Sequence, residues 1–342
     1  TGAGVHRQAL FFGRGTLLAQ ILGREPANYL VVGGRQVGKS SLLKEIERLY
    51  RNDQEVDCHY LPLNNQDGIR SIAENLGAET KTLEGVLGHL RAVTGQRTLL
   101  LIDEADAFVD ADRSKNYAVL QQLRALSETG QAHFILAGFW ALYRQATVDY
   151  QSPLKNFGSV LTVGELEIEA CRLLATEPMA RLGIGWESAE LVERLIKLTG
   201  QRANLISIAC SAALHALGQT EKTIHTFHLE AALRSPSIRN ALLGWSELGN
   251  DATECRLDRI TVYSTVGHDN FTLTDVLKTL NASAFHPEVE QIKASLARLE
   301  LAFILARSNN QYRYQVPLQR DLILADDVDW LLKDELRAAK SS

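Results

Sequence analysis

Eight residues constrain this chain more than any others. Gly33-Gly34-Arg35-Gln36-Val37-Gly38-Lys39-Ser40 fits the pattern G-x-x-x-x-G-K-[ST]. The short apolar run Asn28–Val32 ahead of it predicts a buried strand. Ser40–Tyr50 behind it predicts an amphipathic helix, with Leu42, Leu43, Ile46 and Leu49 at helical spacing. A strand, a glycine-rich loop and a helix in that order form a cradle for phosphate. Glycines let the backbone curl until successive N–H groups converge, and the positive end of the helix dipole adds to their field. Lys39 is expected to reach the β- and γ-phosphates, and the Ser40 hydroxyl to ligate Mg²⁺. The phosphate-binding candidates are therefore Gly33, Gly34, Arg35, Gln36, Val37, Gly38, Lys39, Ser40 and Ser41.

Leu99-Leu100-Leu101-Ile102-Asp103-Glu104 supplies the complementary half. An apolar strand ending in two acids suits a metal-assisted phosphoryl transfer. Asp103 is expected to hold the Mg²⁺ shell, and Glu104 to orient and deprotonate the attacking water. No N-K-x-D guanine-reading motif occurs, so ATP and ADP are the expected nucleotides rather than GTP.

Around this pair, residues 28–165 alternate strand-like and helix-like segments. Val56–Leu61, Arg97–Asp103, His133–Ala137 and Val160–Val163 read as further strands, with Ile69–Leu76, Thr82–Val93 and Tyr117–Thr129 as helices. That alternation predicts an α/β domain over 1–165, a parallel sheet with helices on both faces. Strand character is expected to stop there. Glu165–Leu182, Ser188–Leu198, Leu205–Leu217 and Thr226–Leu233 predict a helical domain over 166–249. Ser235-Pro236-Ser237 to Gly249 reads as a connection, broken at Pro236. Residues 250–342 read as a winged helix. Thr253–Val266, Leu273–Leu280 and a helix opening at Pro287 precede two strands, Ala302–Ala306 and Gln311–Val316. In the third helix, Val289, Ile292, Leu296 and Leu299 share a face.

Composition excludes several classes. With 36 Lys+Arg against 41 Asp+Glu in 342 residues, the chain is no basic nucleic-acid coat. No apolar run approaches the length of a membrane span, so no membrane partner is expected. Thr1–Arg7 is no secretory signal and lacks an initiator Met, which suggests a segment of a longer protein. Cys58, Cys171, Cys210 and Cys255 lie far apart with no metal spacing, as expected of reduced buried thiols in a cytoplasmic protein.

Taken together, the chain resembles the STAND class of P-loop ATPases, signalling relatives of AAA+ proteins. Phe11-Phe12-Gly13-Arg14 resembles the hydrophobic-Gly-Arg segment of that class, which implies that Phe12, Gly13 and Arg14 line the adenine pocket. Phe134–Gly138 resembles the strand bearing the sensor-1 position, although Ala137-Gly138 offers no polar side chain to a γ-phosphate. Ser152–Asn156, Thr199-Gly200 and Tyr312–Leu318 resemble stretches common in prokaryotic members. The Gly-x-Pro of the helical domain and the Met-His-Asp of some winged helices have no evident match. Arg202 resembles the sensor-2 arginine of AAA+ proteins, with a surface or helix-capping arginine as the competing reading.

The resemblance implies an ATP-driven switch with nucleotide between the α/β and helical domains, slow hydrolysis, and a role in signalling or defence. Further domains of a longer chain and nucleotide-dependent self-association are the implied partners. A DNA-acting AAA+ ATPase of the origin-binding or transposition type is the alternative. DNA is the less favoured partner because residues 251–342 carry 14 acidic and 11 basic side chains. The remaining candidates read as structural. Arg144 is expected to be a solvated helix arginine, His225 and His228 to be structural, and Trp140 and Trp245 to pack.

Overall fold

The computed structural model describes residues 11–23, 25–63 and 68–341, so Thr1–Arg7 lies outside the described residues. The chain divides into two compact units, one reaching Val163 and the other beginning at Gly164.

The first unit opens with α1 (Gly15–Leu22), β1 (Tyr29–Val32) and α2 (Lys39–Tyr50). It continues with β2 (Val56–Pro62), α3 (Gly68–Leu76), α4 (Leu83–Ala92) and β3 (Arg97–Asp103). Then come α5 (Asp106–Arg113), α6 (Ala118–Glu128), β4 (Ala132–Gly138), α7 (Trp140–Thr147) and β5 (Ser159–Thr162). The five strands pair in parallel in the order β2-β3-β4-β1-β5. All four side chains of β1 are buried, as are Leu99–Asp103 of β3. Such unbroken apolar runs suit strands covered on both faces. Leu42, Leu43 and Ile46 of α2 are fully buried, whereas Leu49 is 43% exposed and leaves the expected apolar face. Asn28 proves to be a staple and not the first residue of β1. Its side-chain oxygen accepts from the Phe134 amide at 2.9 Å, and its amide donates to the Phe157 carbonyl at 3.1 Å.

The second unit begins with α8 (Ile168–Ala180), β6 (Gly185–Trp186), α9 (Ala189–Leu198) and α10 (Ala203–Ala216). Next are β7 (Thr223–Ile224), α11 (Thr226–Leu233) and α12 (Pro236–Leu243), then a 3-10 turn at Gly244–Glu247. Two sequence expectations are corrected here. Strand character does not end at 165, because β6 and β7 form a two-residue parallel pair. Nor is Ser235–Gly249 an open connection. The Ser235 hydroxyl caps the Ile238 amide and Pro236 takes the first helical position, where its missing N–H costs nothing.

The rest comprises α13 (Ala252–Thr265), α14 (Leu273–Ala282), α15 (Val289–Leu301), β8 (Leu305–Ser308), β9 (Gln311–Tyr314), α16 (Pro317–Leu324) and α17 (Val328–Ser341). Three helices followed by an antiparallel hairpin is the element order expected above. Asn309 and Asn310 turn the hairpin with φ of 48° and 64°, the left-handed pair that a two-residue turn requires. Pro287 lies ahead of α15 instead of opening it, because Glu288 is the N-cap, in a capping box with Gln291. Ile292, Leu296 and Leu299 are buried, but Val289 in the first turn is 43% exposed.

Arg298 of α15 points into the core. Its guanidinium donates to both carboxylate oxygens of the buried Asp258 and pairs with Glu254 at 3.2 Å. Gly200 joins two parts of this unit. Its φ is +59°, and a Cβ there would lie 2.4 Å from the Gln315 carbonyl oxygen. The stretches Thr199-Gly200 and Tyr312–Leu318 therefore meet. Among the described residues no helix is long and apolar enough to cross a membrane.

Candidate nucleotide site

The loop Gly33–Gly38 leaves the carboxyl end of β1 and feeds directly into α2. In open parallel sheets this end carries the ligand crevice. Gln36 and Gly38 have φ of 61° and 104°. Left-handed residues set among right-handed ones turn successive amides toward a common point, a geometry suited to anions. Gly38 is required at its position, since φ near 104° strains any residue with a Cβ. Gly33 is required for a different reason, because a Cβ there would sit 2.8 Å from the Val163 carbonyl oxygen.

Three contacts hold the loop. The Gly33 amide donates to the Gly138 carbonyl at 3.2 Å. The buried Arg14 guanidinium donates to the Val37 carbonyl at 2.9 Å, so this arginine grips the loop itself. The Lys39 ammonium donates to the carbonyls of Gly33 and Gly34, at 2.8 Å and 2.7 Å. Lys39 is only 8% exposed. Burial pushes its pKa below the ordinary lysine value, and the carboxylates of Glu104, Asp106 and Asp103 pull it back up.

Asp103 closes β3 and is buried. Its Oδ2 accepts from the Tyr60 hydroxyl at 2.7 Å and its Oδ1 from the Glu104 amide at 3.0 Å. Glu104 follows with φ of 56° and an exposed side chain. A left-handed glutamate costs about 1–3 kcal/mol, a strain typical of functional turns. The hydroxyl of Ser40 and the carboxylate of Asp103 are hard oxygen donors of the kind Mg²⁺ takes, so these residues fit that ion.

Sequence reasoning missed two residues here. Asp106, just beyond the end of the neighbouring strand β3, caps α7, its carboxylate accepting from the amides of Phe139 at 2.6 Å and Leu142 at 3.1 Å. Gly138 allows that approach, since a Cβ would lie 2.8 Å from Asp106 Oδ2. Asp106 thus ties the acidic turn after β3 to the turn that holds Gly33. Its signal was present in the run Asp103-Glu104-Ala105-Asp106. Tyr60 gave no signal, because a tyrosine in a strand reads as packing.

Of the other predicted residues, Arg35 and Gln36 are exposed on the loop, while Ser41, Phe12 and Gly13 are half-buried. Arg202 belongs to the second unit, where it is the N-cap of α10. Burial lowers its pKa to about 10. Arg144 is not simply solvated, for it approaches Asp110 at 3.5 Å. His228 is buried, accepts from the His225 amide at 3.1 Å and meets Glu221 at 3.2 Å, a structural arrangement. Trp140 and Trp245 are buried. Cys171 and Cys210 are buried free thiols, while Cys58 and Cys255 are partly exposed. No cluster of metal-ligating side chains occurs among the described residues.

A family model described as novel STAND NTPase 1 matches residues 4–240. The chain belongs to that family. No curated protein matches the sequence. Among solved structures, the Walker-type ATPase of Pyrococcus abyssi is similar at 14% identity and a TM-score of 0.66, with 94% of this chain and 98% of that chain covered. The RuvB Holliday junction branch migration motor of Thermotoga maritima is 16% identical with a TM-score of 0.46, covering 89% and 92%. The ORC2 protein of Aeropyrum pernix is 15% identical with a TM-score of 0.48, covering 94% and 92%. At such identities the likeness to the Pyrococcus protein is one of fold. The chain is thus a P-loop NTPase of STAND type, a fold that implies nucleotide and usually Mg²⁺.

Asp106→Ala removes both bonds to the start of α7. It should lower stability by about 1–2 kcal/mol, the cost of losing a helix cap, measured by urea unfolding. Unchanged stability would contradict the tether.

Proposed function

We propose that the chain binds ATP with Mg²⁺ and acts as a slowly hydrolysing molecular switch within a larger signalling or defence protein. The observation that carries this reading is Lys39, a buried ammonium held on loop carbonyls beside three carboxylates. In this reading the ammonium exchanges neutral carbonyl partners for anionic phosphate oxygens. Hydrogen bonds to charged acceptors are about twice as strong as neutral ones. The loop amides from Gly33 to Ser41 receive the phosphate tail. Arg14 keeps the loop in shape, and Phe12 and Gly13 flank the base. Ser40 and Asp103 hold Mg²⁺, which supplies charge neutralisation on the transferring phosphoryl group. Glu104, exposed beyond the metal ligands, takes the proton of the attacking water.

A switch needs a nucleotide with different affinity for two states. Arg202, an arginine whose charge is already disfavoured by burial, is the candidate responder on the second unit. The absence of a polar side chain at Ala137-Gly138 supports slow turnover. We read 166–249 as a helical domain and 250–342 as a winged helix that packs on it through Gly200 and Gln315. The buried pairing of Arg298 supports a packing role over DNA reading, since it withdraws one of the few cations on α15. The Lys293–Glu290 ion pair at 2.7 Å offsets another. The reading places the protein in the cytoplasm and allows nucleotide-dependent self-association.

Lys39→Ala should abolish nucleotide binding in calorimetric titration, and retained micromolar affinity would contradict the site. Glu104→Gln should keep binding while slowing phosphate release by at least about 100-fold, the scale of a lost general base. An unchanged rate would exclude Glu104 from that role.

A further inference from the structure

Tyr60 occupies a position that no step of the proposed reaction has used. It lies on β2, beside Leu101 of β3 in the register that places Pro62 beside Asp103. Three contacts from two elements fix it. Its amide donates to Glu47 Oε1 at 3.1 Å. The Lys44 ammonium stands 5.3 Å from the centre of its ring. Its hydroxyl lies 2.7 Å from Asp103 Oδ2. Lys44 and Glu47 are spaced i and i+3, so one stripe of α2 faces this tyrosine.

The Tyr60 hydroxyl donates to Asp103 Oδ2, and an ionised carboxylate only accepts. With Tyr60 on Oδ2 and the Glu104 amide on Oδ1, the carboxylate is held in one orientation and keeps lone pairs for a cation. We propose that Tyr60 is a positioning residue of the Mg²⁺ site, ordering the Asp103 carboxylate through the bond from its hydroxyl. The inference rests on the nucleotide reading above and adds a residue to it. Partners that orient metal ligands commonly contribute 10–100-fold to metal affinity.

The test uses the full chain, ADP, and Mn²⁺ as a spectroscopic substitute for Mg²⁺. Electron paramagnetic resonance titrations of the ADP complex read metal affinity directly, without turnover. Tyr60→Phe should weaken Mn²⁺ binding by about 10–100-fold. Its affinity for ADP in EDTA and its thermal unfolding in EDTA should match the wild type. In an Asp103→Ala background the same change should weaken Mn²⁺ binding by less than about threefold further, because the bond it acts through is already gone. Metal affinity unchanged in Tyr60→Phe would overturn the proposal, and so would tighter binding, which would make Tyr60 a plug. Full additivity with Asp103→Ala would also overturn it, whether or not the single variant is destabilised. If the wild type bound no ADP, the nucleotide reading itself would fall and this inference with it. ADP binding with unaltered metal affinity would remove this inference alone.

Discussion

The structure of the first unit depends on holding a strained, charged loop still. A turn with two left-handed residues and a buried ammonium would not persist unless its surroundings over-determined it. Here they do. Gly138 at the end of β4 accepts from the first amide of the loop. Arg14, from the segment before α1, takes a carbonyl near its end. Lys39 closes the loop on itself from the first turn of α2. Each contact comes from a different part of the unit, so the cradle exists only when the sheet is assembled.

Electrostatics follow from the same arrangement. A buried lysine is costly without compensation. Glu104, Asp106 and Asp103 provide it from the end of β3, and the Asp106 carboxylate does so while capping α7. The acids that favour the Lys39 charge are also those that suit metal and water chemistry. A structural requirement and the proposed chemistry therefore share the same few side chains. In the second unit the logic is separate. Arg298, Asp258 and Glu254 satisfy one another inside the core, and Gly200 permits a backbone approach that any larger residue would block.

The features legible in the sequence were those with local causes. β1, the loop and α2 could be read because an apolar run, required glycines and helical spacing follow one another within 23 residues, Asn28 to Tyr50. β3 and its acids were legible for the same reason. The features missed depend on tertiary partners. α5 and α7 are eight residues each, too short for a strong periodic signal, and α7 is capped by Asp106 from another element. α12 was mistaken for a linker because Ser235 and Pro236 signal a break as readily as a helix start. Tyr60 matters through Asp103, which lies 43 residues after it in the chain.

The central claim is that the loop from Gly33 to Ser40 grips the phosphate tail of a nucleotide. A crystal structure of the full chain grown with saturating ADP and Mg²⁺ tests it most directly. The account predicts the β-phosphate seated on the loop amides, with the Lys39 ammonium moved from the Gly33 and Gly34 carbonyls onto a phosphate oxygen. Nucleotide bound elsewhere, or a loop with Lys39 still on its own carbonyls under those conditions, would contradict it.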